Sequence, residues 1–73
     1  MQITKEVKIH TDYITLGQVL KMLNIIESGA FAKIFLIDNQ VYVNDELETR
    51  RGRKLYPGFI VRLNEIIIKI GKD

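Results

Sequence analysis

Apolar and polar residues alternate over the first nine positions. Ile3, Val7 and Ile9 share one face, with Lys5 the exception, and Gln2, Thr4, Glu6 and Lys8 share the other. This is the period of a short strand at a sheet edge. From Leu16 the period lengthens, and Leu16, Val19, Leu20 and Leu23 recur at helical spacing. Thr15 precedes that run and Gln18 follows three residues later, the pattern of a capping box. The spacing predicts a first helix over about residues 16–24. Ser28 is a second N-cap candidate. Gly29 and Ala30 open a second helix predicted to reach Asp38, with Ala32, Phe35 and Leu36 on one face, Phe31 near them and Lys33 toward the exposed side. Asn39 is placed to stop that helix in a left-handed conformation.

Beyond it, Val41, Tyr42 and Val43 predict a short strand, and Glu46 to Glu48 its return. Asn44-Asp45 forms the tight turn between them, since both residue types tolerate positive φ. Pro57-Gly58 is the strongest turn signal in the chain and fits a type II turn. The β-branched stretch over 59–70 predicts one bent strand, or two broken near Asn64-Glu65. The fold class expected is α+β: two packed helices against a small antiparallel sheet with an N-terminal edge strand, in a single domain over residues 1–73. No repeat, linker or low-complexity segment interrupts it.

Composition narrows the classes. The chain has 73 residues and no cysteine, which excludes disulfides and thiolate metal sites. No apolar run is long enough for a membrane helix, and the first ten residues do not read as a signal peptide. A cytoplasmic protein is therefore expected. The net charge is only +2, but residues 50–54, Arg-Arg-Gly-Arg-Lys, hold four of the eleven basic residues. The remaining seven face nine acidic ones, so the rest of the chain carries a net −2. Such concentration is the electrostatic footprint of a phosphate contact.

Arg50, Arg51, Arg53 and Lys54 suit that contact because guanidinium groups pair with phosphate oxygens through a planar fork, and Gly52 permits close backbone approach. A solvated loop accounts for the run equally well when it is taken alone. Ser28 and Gly29 begin a helix whose free N–H groups favour anions, with Lys33 one turn further on. An ordinary helix cap is the simpler account of that segment. Tyr56, next to the basic run, is the better candidate for stacking on a base, and Tyr42 reads as a half-buried strand tyrosine. His10 has no second ligand at metal spacing. No nucleophile elbow or phosphate-binding loop is present, and the carboxylates are scattered. The expectation is no enzyme, no cofactor, no metal and no small-molecule substrate.

Ile14-Thr15-Leu16-Gly17-Gln18-Val19-Leu20-Lys21 resembles the opening of an S-four-type RNA-binding domain, the α-L motif. Ser28-Gly29-Ala30-Phe31-Ala32-Lys33 resembles the start of its second helix. Val41 to Glu46 resembles its valine-asparagine hairpin, and Arg50 to Leu55 with Pro57-Gly58 its basic loop and closing turn. The combination is most similar to the small bacterial YaaA-like branch, and the likeness covers about residues 14–63, nearly the whole chain. The chain departs from the family at Thr15 and Gly17, where many members carry Arg and Asp. It departs also at Ala30, where the branch has a second glycine, at Asp45, which replaces a hairpin glycine, and at Phe59, which follows Gly58 where the family has Asp and either alters the closing turn or places an apolar residue on the surface.

The resemblance implies binding to structured RNA through Thr15, Gln18, Ser28, Gly29, Lys33, Arg50, Arg51, Arg53 and Lys54. It points to ribosomal RNA first and transfer RNA second, to the large ribosomal subunit, and to a role in ribosome assembly or maturation. Alanine at Arg50, Arg51, Arg53 and Lys54 together is expected to abolish RNA binding and leave the fold intact. Two alternatives stand beside this reading. One is a ubiquitin-like β-grasp sulfur carrier, although the ending Ile70-Gly71-Lys72-Asp73 lacks the Gly-Gly it needs. The other is a protein-interaction module, with an exposed Phe59 as its clue.

Overall fold

The computed structural model describes residues 1–73. Seven strands and two helices follow in order: β1 (Ile3–Ile9), β2 (Ile14–Thr15), α1 (Leu16–Met22), α2 (Ala32–Asp38), β3 (Val41–Val43), β4 (Glu46–Leu47), β5 (Lys54–Leu55), β6 (Ile60–Leu63) and β7 (Ile66–Lys72). A 3₁₀ turn, Gly29–Phe31, leads into α2.

The sheet is larger than expected and is mixed. Five strands lie in the order β1-β7-β6-β3-β4. β1 is at the edge, as its alternation predicts, but it runs parallel to β7, from Ile3 opposite Ile66 to Ile9 opposite Lys72. All other neighbours in this sheet are antiparallel. The parallel pair joins the two ends of the described chain, a long-range contact that local periodicity does not reveal. Gly71 lies inside this pairing, opposite Lys8, and the Asp73 N–H donates to the Ile9 carbonyl at 3.0 Å. The segment around Gly71 is thus part of a strand and not a free tail. A separate two-stranded ribbon, β2 with β5, joins segments that the sequence pattern does not pair.

One face of the sheet and both helices enclose the core. Val7, Ile9, Val41, Val43, Val61, Leu63, Ile68 and Ile70 alternate inward from the strands, and Leu16, Val19, Leu20, Ala32 and Leu36 meet them from the helices. A helix of seven residues is too short to persist alone. α1 persists because its apolar stripe is fully buried and both its ends are closed. At its start, the predicted capping box is present. At its end, Asn24 adopts φ 59°, and the N–H groups of Asn24 and Ile25 return to the carbonyls of Lys21 and Leu20 at 3.0 and 2.9 Å. That is a Schellman closure, and it ends the helix at Met22, short of residue 24.

Asn39 stops α2 differently from expectation. Its backbone is extended, at φ −128° and ψ 139°, and its side-chain Nδ2 donates to the Phe35 carbonyl at 3.0 Å. The Asn44-Asp45 turn has φ 50° and 69°, as required of a two-residue hairpin loop. The region 59–70 is two strands broken at Asn64-Glu65, with Asn64 at φ 51°. Phe31 is exposed and does not join the apolar face of α2. No helix is long and apolar enough to cross a membrane.

Candidate nucleic-acid interface

The basic loop is fastened to the start of α1 by its backbone. A helix leaves its first N–H groups without partners inside the helix. Here the Leu16 N–H donates to the Arg53 carbonyl and the Gly17 N–H to the Arg51 carbonyl, both at 2.9 Å. The Gln18 N–H donates to Thr15 Oγ1 at 3.4 Å, and Gln18 Oε1 accepts from the Thr15 N–H at 2.9 Å. The amide hydrogens of the first turn are therefore spent on the protein itself. The β2–β5 ribbon continues the attachment, with Thr15 opposite Lys54 and Ile14 opposite Leu55. Gly17 makes this approach possible, since a Cβ there would stand 3.3 Å from the Arg51 carbonyl oxygen.

The second fastening is Glu48, the one charged residue in the buried set, with 5% of its surface exposed. Its carboxylate accepts from the backbone N–H groups of Thr49 and Arg50, each at 3.0 Å. It also accepts from Arg50 Nε at 3.0 Å, Arg50 Nη2 at 3.1 Å and Arg53 Nη1 at 2.9 Å. These donors stabilise the charged form against the cost of burial. The Arg50 guanidinium contributes most, and the Glu48 carboxyl is held down at about 2, from an ordinary value of 4.5. The strand predicted through Glu48 ends at Leu47, so this carboxylate is free to turn under the loop.

The clamp separates the four cations into two kinds. Arg50 and Arg53 are committed to Glu48. Arg51 and Lys54 pair with no carboxylate, and Arg51 Nη1 donates to the Gly29 carbonyl at 3.3 Å. Thr15, Gly17, Gln18, Lys21, Gly29, Arg51 and Gly52 line one shallow hollow where α1, the Gly29 turn and the loop converge. Arg50, Gly52, Arg53, Lys54, Tyr56 and Phe59 line another, on the far side of the loop.

Eight of the ten sequence-predicted residues are thus gathered into two adjoining hollows. Ser28 and Lys33 line neither. Ser28 has an extended backbone, and its side chain makes no capping bond, so its predicted N-cap role is not realised. The helix it was expected to cap begins instead as a 3₁₀ turn. Lys33 is exposed on α2.

Sequence reasoning missed Glu48, Gly17, Lys21 and Tyr13. A glutamate two residues before an arginine run is a signal for the first of these, but only the fold shows that it is buried. Phe59 neither alters the closing turn nor forms an exposed apolar spot. It is half-buried against the core, with its ring edge-on to Tyr56 at 5.6 Å between centroids. Tyr42 is half-buried, as expected of a strand tyrosine, and lies under the Arg62 guanidinium at 4.9 Å.

Comparison with known proteins shows the family of the chain. The chain is 53% identical over 57 residues to "Probable ribosome maturation protein RlbA" of Bacillus subtilis (strain 168), covering 78% of this chain and 80% of that protein. The family model described as "S4 domain" matches residues 7–71, which take in both helices, the clamped loop and all of the sheet except the first four residues of β1 and the last of β7. That match replaces the β-grasp reading, and the chain belongs to the S4 domain family.

Proposed function

We propose that this protein binds structured RNA through the loop of residues 50–54 and the adjoining start of α1, with ribosomal RNA as its target, and that it serves ribosome assembly or maturation without catalysing a reaction. The observation that carries the reading is a rigidly fastened loop that presents Arg51 and Lys54 with no carboxylate partner. Fixed cations suit phosphate positioning, because little side-chain and loop freedom remains to be lost on binding. Membership of the S4 domain family and a relative named for ribosome maturation support the same reading.

Recognition is by phosphate and ribose contacts and by shape, with Thr15, Gln18, Gly29, Lys21 and Arg51 on one side of the loop and Arg53, Lys54 and Tyr56 on the other. Ser28 and Lys33 contribute at the margin. The site of action is cytoplasmic, the large ribosomal subunit is the assembly concerned, and transfer RNA is the second target. No cofactor, metal or small-molecule substrate takes part.

The Glu48 clamp decides how this is tested. Alanine at all four cations would strip a buried carboxylate of its partners, so that variant is expected to lose stability as well as binding. Arg51→Ala/Lys54→Ala leaves the clamp whole. This double variant is expected to keep the wild-type melting temperature within a few degrees and to lose RNA affinity, with its salt slope smaller by about 2. Unchanged RNA affinity in the folded double variant would refute the assignment of the loop.

A second reading, contact with a protein, rests on α2. Phe31, Ile34 and Ile37 are 49%, 59% and 70% exposed, an apolar stripe at helical spacing that the fold leaves uncovered.

A further inference from the structure

Two segments far apart in the chain bring three aromatic rings together beside the loop. Tyr13 comes from the bend after β1, and Tyr56 and Phe59 come from the turn between β5 and β6. The Tyr13 and Tyr56 ring centroids are 5.9 Å apart with planes at 52°, and the Tyr56 and Phe59 centroids are 5.6 Å apart at 63°. Phe59 is anchored on the core, whereas Tyr13 and Tyr56 remain 39% and 42% exposed.

The turn holds Tyr56 in place. The Phe59 N–H donates to the Tyr56 carbonyl at 2.9 Å, Gly58 takes φ 96°, and the Gly58 N–H donates to the Ile70 carbonyl at 2.7 Å. Cations flank the rings: Lys54 Nζ lies 4.8 Å from the Tyr13 centroid and the Arg53 guanidinium 6.0 Å from that of Phe59.

We propose that Tyr13, Tyr56 and Phe59, edged by Arg53 and Lys54, form a stacking site for one unpaired nucleobase of the bound RNA. The inference rests on the RNA-binding reading above and adds what that RNA must offer. Base faces inside an A-form helix are covered by their neighbours, so an aromatic surface can be used only by a base in a bulge, loop or end. Fixed rings accept such a base at small entropic cost, and Lys54, which pairs with no carboxylate, meets a phosphate beside it. A surface that bound only duplex phosphates would need the cations and not the rings. The site is tolerant of base identity, because every base has a π face.

The test uses two RNA hairpins of one sequence, one with a single 2-aminopurine bulge and one with the same 2-aminopurine paired, titrated with the full chain at low salt. Wild type is expected to bind the bulged hairpin about fivefold or more tightly and to quench its 2-aminopurine fluorescence. Tyr13→Leu/Tyr56→Leu keeps the apolar contacts while removing the two exposed rings. It is expected to lose both the preference for the bulged hairpin and the quench, binding the bulged and the paired hairpin equally.

Equal wild-type affinity for the two hairpins without quenching, or a preference that survives in the leucine variant, would overturn the stacking site and leave RNA binding standing. Binding to neither hairpin would overturn both. The wild-type quench needs no variant, so a variant that failed to fold would not protect the idea.

Discussion

Replacing Glu48 with glutamine is expected to release the basic loop from its underside and to remove part of the acid sensitivity of the fold. The wild-type carboxylate accepts from two backbone N–H groups and from both Arg50 and Arg53. Glutamine keeps one acceptor oxygen but turns an NH2 group toward a guanidinium, donor against donor. Lowering the carboxyl from 4.5 to about 2 on folding corresponds to at most ~3.5 kcal/mol of stability. Arg50 is 73% exposed at its side chain, and solvent screening at that end brings the expected loss to about 1–2 kcal/mol.

Because the folded value is depressed, this contribution is fully present above pH 4.5 and is lost as pH falls toward 2. Thermal melts of wild type and Glu48→Gln from pH 7 to pH 2.5 read both effects. At pH 7 the variant is expected to melt roughly 5–15 °C lower, given the usual entropy of unfolding for a domain of this size. The gap is expected to narrow between pH 4.5 and 2.5 as the wild-type carboxylate takes up its proton. A variant that melts with wild type at pH 7, or a gap that stays constant down to pH 2.5, would refute the clamp.

Gly17→Val is expected to destabilise by about 1–3 kcal/mol, because a branched side chain would meet the Arg51 carbonyl and Ala32 Cβ; a urea melt measures it, and RNA affinity should fall as the loop is pushed away. Gly58→Ala has open space around its new methyl group but is strained at φ 96°, so a loss of about 1 kcal/mol is expected in the same melt. Leu16→Ala, at a fully buried position shared by helix and core, is expected to cost about 2–5 kcal/mol and to lower the melting temperature more than any surface change named here.

Much of the local architecture was legible in the sequence, for identifiable reasons. The capping box at Thr15 and Gln18 is a side-chain pattern over four residues, and Asn44-Asp45 and Pro57-Gly58 are turn dipeptides with steric causes. All three appear as read. The left-handed helix stop falls at Asn24 and not at Asn39, where the sequence predicts it. Asn24 takes that conformation, while Asn39 closes α2 through its side chain; both solutions suit the same residue type, and only packing selects between them.

The parallel pairing of β1 with β7 and the β2–β5 ribbon depend on contacts between distant segments, which periodicity does not encode. The candidate site divides in the same way. The run 50–54 announces its charge, but the sequence does not say that Glu48 holds two of its arginines, that Gly17 lets it close on α1, or that Tyr13 lies beside Tyr56.

The most direct measurement of the central claim is a titration of the protein against purified ribosomal subunits and ribosomal RNA, with transfer RNA alongside, at 50 and 200 mM salt. If the loop's two uncommitted cations, Arg51 and Lys54, meet phosphates, affinity should fall about 10-fold between those concentrations. The account predicts salt-sensitive binding of that order to the large subunit, tighter than to transfer RNA. Absence of binding at 50 mM salt, or binding indifferent to salt, would contradict it.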